Sequence, residues 1–460
     1  MGQMRLGESS PERPRPMAPM WEREGTLYVI GVDGLTLDVA GPLMERGELP
    51  NLSRLAREGC CGPLATVEPT NSSLIWTSIA TGCHHRLHGI DGFQRYRLLG
   101  LPVSRTLVRR FKKLGGKGVL RFLTMLHLMR EYVFDCRSVR AKRFWEIVSL
   151  SGGRVGVVNW WHSWPAQPVD GFIVSDRLHY WRGLAQGTVP DEHSRLTFPE
   201  NLLAECSNLV VPPQEIGVEQ MRRFVNLPAQ ELQEFVEAEF EHHELRGELR
   251  FLISADLTYS RVLQHCLDLQ DGLRLVAFYC RGPDIAQHCA FHYRPELNVP
   301  GVGDREREKF GGVVDAAYRF ADHIIGDVLE RTTPNDTVLV VSDHGFGLQP
   351  VWHTYGHRRG RYPGVIYAWG KEFRQGWRVA DASVYDVAPT VLRLCGLPAA
   401  ADMQGRSLEE LLTDQFREAH PLPEAVKSYG PREDDHRPVA DSRDATEQMK
   451  EHLRALGYLD

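Results

Sequence analysis

Five short, mostly apolar runs constrain the fold of this 460-residue chain more than any other feature: Leu27–Val32, Arg154–Asn159, Leu275–Tyr279, Thr337–Val341 and Gly364–Ala368. Each is too brief for a core helix and reads as a strand buried on both faces. Helical patterns fall between and after them. They run from Leu49-Pro50-Asn51-Leu52 through Ala56, from Leu74 to Ala80 with a stop at Gly82, over Phe144–Val148, Val313–Leu329 and Val387–Leu394. A strand apolar on both faces has to be covered on both faces. The alternation therefore predicts an α/β fold, a mostly parallel sheet between layers of helix. In such sheets ligands collect at the carboxyl ends of the strands.

The rhythm divides the chain. Residues 1–25 form a polar, Pro/Arg-rich lead-in, and 26–178 the first part of the α/β core. Residues 179–270 are helical and charged, with the run Glu237–Glu244, and predict an inserted cap. Residues 271–415 complete the core, and 416–460 form a Pro- and charge-rich tail with a short helix at Met449–Leu456. Apolar residues make up 42% and charged residues 25%, which excludes wholesale disorder. The formal charge of -6 argues against a binder of nucleic-acid polymers. No stretch approaches the length of a spanning helix, and the start lacks the apolar core of a secretory signal. Nine cysteines without a Cys-x-x-Cys pair predict reduced thiols and a cytoplasmic protein.

The chain has 19 histidines, and the question is which carry chemistry. Ser342-Asp343-His344-Gly345 follows a strand and pairs a carboxylate with an imidazole, a donor set suited to zinc, although Asp-His-Gly alone also makes a turn. Asp284 and His288 are spaced to share one face if a helix opens after Asp284; ordinary surface pairs have the same spacing. Asp33 ends the first strand, where Asp-Gly is also a plain turn. His357 lies in a polar loop before the last strand, with His353 four residues earlier. Together the three Asp and three His divide into two three-ligand sets, each leaving an open position as catalytic zinc requires. Two such metals form a clamp for displacement at phosphorus. Ser72, at or before a helix N-terminus, is placed to serve as nucleophile. An ordinary N-cap is the competing role, and Ser73 the competing residue.

These residues resemble a family. Val32-Asp33-Gly34, Leu49-Pro50-Asn51-Leu52, Trp76–Gly82 and His88-Gly89-Ile90 are similar to the N-terminal motifs of the type I phosphodiesterase/nucleotide pyrophosphatase family, in the alkaline phosphatase superfamily. Arg281-Gly282-Pro283-Asp284 with His288, Ser342–Gly345, Asp386–Leu392, Gly396-Leu397-Pro398 and Gly405-Arg406 continue the match in order. The resemblance covers about 27–178 and 271–412. It implies an alkaline-phosphatase-like three-layer sandwich holding two divalent metals, zinc or alternatively manganese. One metal would be held by Asp33, Asp343, His344 and the oxygen of Ser72, the other by Asp284, His288 and His357, with His353 in reserve. The implied activity is phosphodiester hydrolysis through a covalent phospho-enzyme on Ser72. A phosphomonoesterase or phosphotransferase using the same centre, and a non-catalytic binder of phosphorylated glycans or lipids, are the alternatives. The substrate would be a small phosphoester: a nucleotide, a glycan or a lipid head group. One departure weighs against nucleotides: Ile75 stands where nucleotide-cleaving members often have Asn.

Neighbouring families fit worse. Cys61-Gly62-Pro63-Leu64-Ala65 lacks the Arg of a sulfatase signature, and Gly152-Gly153-Arg154 is no dinucleotide fingerprint. Two features stay unassigned. Arg105–Arg121 is a basic stretch interleaved with apolar residues, which reads as a solvated face, a membrane-surface element or a site for anionic substrate. Trp160-Trp161-His162-Ser163-Trp164-Pro165 follows a strand and either lines the site or packs in the core.

Overall fold

The computed structural model describes residues 24–433, apart from 104, 181–193, 240–243, 298, 350–353 and 358–361, together with 447, 449–451, 453 and 454. His353 lies outside the described residues, as does part of the tail helix, which is seen at Met449–Glu451 and Leu453-Arg454.

The strands in chain order begin with β1 (Leu27–Val32), β2 (Cys60–Leu64), β3 (Gln94–Leu98), β4 (Leu101–Val103), β5 (Met129–Val133), β6 (Val155–Val158) and β7 (Gly171–Val174). They continue with β8 (Thr197–Phe198), β9 (Leu275–Cys280), β10 (Thr337–Val341), β11 (Gly347–Gln349), β12 (Thr354–Gly356), β13 (Gly364–Trp369) and β14 (Trp377–Arg378). Nine of them form one sheet in the order β14-β2-β13-β10-β1-β9-β6-β7-β8. β1 is central and pairs in parallel with β10 on one side and β9 on the other, and β6 and β7 extend the parallel run. This is the mostly parallel α/β sheet that the apolar runs imply.

Two features differ from the sequence reading. β13 runs antiparallel to β10 and to β2. A strand buried on both faces has the same composition in either direction, so its pattern cannot report polarity. β2 and β7 were not anticipated. β2 is interrupted by Gly62-Pro63, and β7 has four residues. Within the 179–270 stretch, the 25-residue helix Leu245–Leu269 buries Leu252, Tyr259 and Leu263 in the main core. Its last turns lead into β9, the strand beside β1.

The first α-helices in chain order are α1 (Leu37–Glu45), α2 (Pro50–Glu58), α3 (Ser72–Thr81), α4 (His85–His88), α5 (Arg105–Phe111), α6 (Lys117–Met125) and α7 (Phe144–Leu150). β3, β4, β5, α5 and α6 make an excursion of their own. The chain leaves the core at Phe93 and returns at Phe134, whose N–H donates to the Phe93 carbonyl at 3.1 Å. Its small core of Tyr96, Val108 and Met129 is separate from the main one.

The Leu49-Pro50-Asn51-Leu52 motif has a structural explanation. Pro50 opens α2, and the buried Asp322 of helix Val313–Leu329 accepts the first N–H groups, from Asn51 at 3.2 Å and Leu52 at 2.8 Å, and the Asn51 side-chain amide at 3.1 Å. An N-cap is thus supplied by another helix, and it ties the two together. Asp322→Ala leaves these donors without an acceptor. It should cost about 2–3 kcal/mol of stability, measured by urea unfolding.

Candidate active site

The carboxyl ends of three adjacent parallel strands, β10, β1 and β9, bring the acidic residues together. Asp33 follows β1 directly. Asp343 and His344 follow β10 after one residue. Asp284 lies in the first turn of the helix Gly282–Ala290 that succeeds β9. That helix is started by the buried Asp256, which accepts the N–H groups of Arg281 (3.2 Å) and Gly282 (2.9 Å). His288 follows one helical turn later on the same face, 3.5 Å from Asp284. His357 comes just after the β11–β12 hairpin.

His344 lies at the centre. Its Nε2 is 3.4 Å from Asp33 Oδ1, 3.2 Å from Asp343 Oδ2 and 4.0 Å from Asp284 Oδ1. His357 Nε2 is 4.0 Å from the same Asp284 oxygen and 3.1 Å from His288 Nε2. The His344 and His357 rings are stacked with centroids 3.9 Å apart. The ligand atoms of Asp33, Asp343 and His344 all lie within 4.8 Å of one another, and so do those of Asp284, His344 and His357. His344 therefore joins both groups, whereas the resemblance assigned it to the first alone.

The cluster fits a divalent cation. Asp33 Oδ1 and Asp343 Oδ2 are buried and accept no hydrogen bond. Burial, with the neighbouring charges of Asp33 and Asp284, pushes the Asp343 carboxyl well above the ordinary carboxylate range. Burial also pulls the His344 imidazole down, which keeps it neutral as a metal ligand must be. Buried carboxylates crowded in this way are what a bound cation compensates.

Backbone and aromatic donors fix the carboxylates. Asp33 Oδ2 accepts Trp76 Nε1 at 3.0 Å and Tyr279 Oη at 2.5 Å, which turns Oδ1 toward His344. Burial and then the charge of Asp33 hold the Tyr279 hydroxyl well above its usual range, so it remains a donor. Gly31 admits Trp76, since a Cβ there would lie 2.5 Å from the indole ring. Gly34, at φ +73, donates its N–H to Asp343 Oδ1 at 3.3 Å. Trp76 and Tyr279 were missed as orienting groups. Both read as core aromatics, and their polar atoms become informative only once Asp33 is placed between them.

The serines separate. Asn71 caps α3, its side chain accepting the Leu74 N–H at 3.3 Å. Ser72 is thus the first helical residue, free of the capping role, with its Oγ 3.3 Å from His344 Nε2. Ser73 Oγ donates to the Gly92 carbonyl at 2.6 Å and lies 2.8 Å from His162 Nε2, away from the carboxylates. Trp160, Trp161 and Trp164 are buried, and Trp160 packs edge-on to Trp76 at 5.3 Å, so the Trp-rich loop is core. His88 is a buried partner of Ser78 at 3.1 Å, with its pKa pushed down by burial to about 3. Ile75 is fully buried.

Such a site, at the carboxyl edge of a covered parallel sheet, is that of an α/β enzyme. The family is defined by sequence: the model for type I phosphodiesterase/nucleotide pyrophosphatase matches residues 27–354, and the chain belongs to that family of phosphoric ester hydrolases. No curated protein matches the chain. Among solved structures, murine ectonucleotide pyrophosphatase/phosphodiesterase 5 is similar over 84% of this chain and 100% of its own, at 10% identity and a TM-score of 0.46. An inactive variant of it in complex with AMP covers 85% of this chain and 100% of its own, at 12% identity and a TM-score of 0.45. Phosphonoacetate hydrolase from Sinorhizobium meliloti, in complex with phosphonoformate, covers 71% of this chain and 57% of its own, at 14% identity and a TM-score of 0.37.

The raised pKa of Asp343 makes a prediction for the metal-stripped protein. A carboxyl whose folded pKa lies above its unfolded value of 3.8 favours folding below that value and loses this margin as pH rises through the folded pKa. In chelator at neutral pH, Asp343→Asn should therefore be more stable than wild type, by about 1–3 kcal/mol. Added zinc should reverse the order. Thermal melts of both proteins, with chelator and with zinc, test this; a less stable variant in chelator contradicts it.

Proposed function

We propose that this chain hydrolyses phosphodiesters with Ser72 as nucleophile, by two displacements at phosphorus. The observation that carries the reading is the position of Ser72 Oγ, 3.3 Å from His344 within the carboxylate–imidazole cluster, while Ser73 turns away. Asp33, Asp343, His344 and Ser72 would hold one divalent cation, and Asp284, His288 and His357 a second; zinc and manganese both suit this donor set. Bound there, the cations supply Lewis-acid chemistry, lowering the pKa of the hydroxyl and neutralising charge that develops on phosphoryl oxygens.

The chain's own residues do the rest. Ser72 sits on the first turn of α3, so the positive end of the helix faces the phosphoryl group. Its Oγ forms a bond to phosphorus as the ester bond to the leaving alcohol breaks. Water then cleaves the phosphoseryl ester and restores the hydroxyl. Trp76 and Tyr279 keep the Asp33 carboxylate aimed through both steps, which matters because catalysis depends on groups already in place. Ile75, apolar and buried, offers no hydrogen bond to a phosphoryl oxygen. The substrate is a small phosphoester, a nucleotide, a glycan or a lipid head group, and Ile75 weighs against the nucleotide.

Ser72→Ala should lower kcat/KM at least about a thousandfold while metal content per chain, measured by plasma emission, is retained. Ser73→Ala should retain most activity; a larger loss in that variant would move the nucleophile. Wild type should cleave bis-p-nitrophenyl phosphate with higher kcat/KM than p-nitrophenyl phosphate. The reverse order would replace the diesterase reading by a phosphomonoesterase or phosphotransferase.

A further inference from the structure

The excursion from Phe93 to Phe134 is built unlike the rest of the molecule. Among the described residues, 15 large apolar side chains are exposed, and 11 of them fall between Leu99 and Tyr132. The same segment, 94–133, carries ten Arg and Lys against the single Glu131, a formal charge of +9 in a chain of -6, so that everything outside it is -15. Scattered exposed apolar residues are ordinary, but a cluster is not.

The apolar side chains are contiguous. In α6, Leu120 and Leu123 face the small core of the excursion, while Val119, Phe122 and Met125 are 52%, 54% and 65% exposed. A helix apolar on both faces is ordinarily covered on both. The β3–β4 hairpin lies beside the end of this helix, where the Leu99 N–H donates to the Leu128 carbonyl at 2.7 Å. It adds Leu101, 70% exposed. Between α5 and α6 the helical path breaks at Gly115, φ +88, and Leu114 projects there with 84% exposure beside Lys112, Lys113 and Lys117. No helix among the described residues is long and apolar enough to cross a membrane.

We propose that residues 94–133 are a docking element for an anionic bilayer surface, the apolar side chains entering the acyl boundary and the basic ring pairing with lipid phosphates and carboxylates. Charge complementarity selects this occupant. A second copy of the chain meeting face to face would oppose one +9 patch to another. A nucleic acid would use the Lys and Arg and leave the leucines, Phe122 and Met125 in water. Interfacial elements combine both features, a basic polar face and an apolar one, at low net hydrophobicity. The element is rooted beside the site: Gly92, two residues before it begins, accepts the hydrogen bond of Ser73, the neighbour of Ser72.

Vesicle flotation of the full chain tests the proposal, with phosphatidylcholine alone and with phosphatidylserine added. Wild type should float with the anionic vesicles, less so as salt rises, and weakly with neutral ones. Lys112→Glu with Lys113→Glu, and separately Phe122→Ser with Met125→Ser, should each weaken binding to anionic vesicles at least about tenfold. Both should retain hydrolysis of soluble bis-p-nitrophenyl phosphate, which also reports that they fold; Leu114→Ser replaces the second pair if it does not. No flotation of wild type with anionic vesicles overturns the proposal. So does binding unaffected by either variant pair. So does wild type that forms a dimer in light scattering, broken by the apolar substitutions, or that binds duplex DNA through Lys112 and Lys113, without vesicle binding.

Discussion

Mutual repulsion among Asp33, Asp284 and Asp343 is the constraint around which the rest of this molecule is arranged. The three carboxylates are buried within reach of one imidazole, and two of their oxygens accept no hydrogen bond from the protein. Water would disperse that charge, but burial leaves the carboxylates little contact with it. Such a cluster persists only where the surrounding fold dictates it or a cation compensates it. The first condition is visible here. β10, β1 and β9 are neighbouring parallel strands, so their carboxyl ends cannot diverge, and each acidic residue is within a few positions of a strand end.

The second layer is as specific as the first. Asp33 is held by an indole and a phenol, Asp343 by the N–H of Gly34, and Asp284 by a helix whose start is fixed by Asp256. Arg281, buried at the head of that helix, donates to Tyr180 at 2.7 Å and to the Asn159 side chain at 2.9 Å. Asn159 in turn donates to the Tyr279 carbonyl at 2.9 Å. A continuous set of hydrogen bonds thus runs from β6 through β9 to Asp33. This arrangement holds the Asp33 carboxylate in place through contacts within the protein alone.

Much of this was legible in the sequence, for identifiable reasons. Continuous apolar runs reveal a covered sheet, and Asp and His beside their ends mark the ligand edge, because both signals are local. The pairing of Asp284 with His288 follows from helical spacing alone. Strand polarity was not legible, as β13 shows, since a doubly buried strand has no pattern that encodes direction. Nor were the roles of Trp76, Tyr279 and Asp322 legible. Each acts across 43 or more positions of chain, and nothing in its own neighbourhood distinguishes it from ordinary core. Ser72 and Ser73 are likewise told apart only by contacts with distant residues, His344 for one and Gly92 for the other. The basic stretch at 105–121 was visible as composition, but composition alone could not separate a solvated helix from a covered one. That distinction needed the inward positions of Leu120 and Leu123 and the outward ones of Phe122 and Met125.

The excursion and the site are therefore linked by more than adjacency. Phe93 packs on Trp161 with ring centroids 5.4 Å apart, and Trp161 lies 6.1 Å from Tyr279, the residue that orients Asp33. Phe134, at the other root, faces His162, the partner of Ser73. Both ends of the excursion are thus anchored in the aromatic layer that backs the carboxylates. Close-packed aromatic contacts of this kind transmit position but give little, because interiors have few voids into which a ring can move. A surface that holds the tip of the excursion consequently fixes the orientation of the α3 N-terminus relative to that surface. For a hydrolase whose Ser72 stands at that N-terminus, docking would determine which phosphoesters are presented to it, by geometry rather than by added contacts in the site.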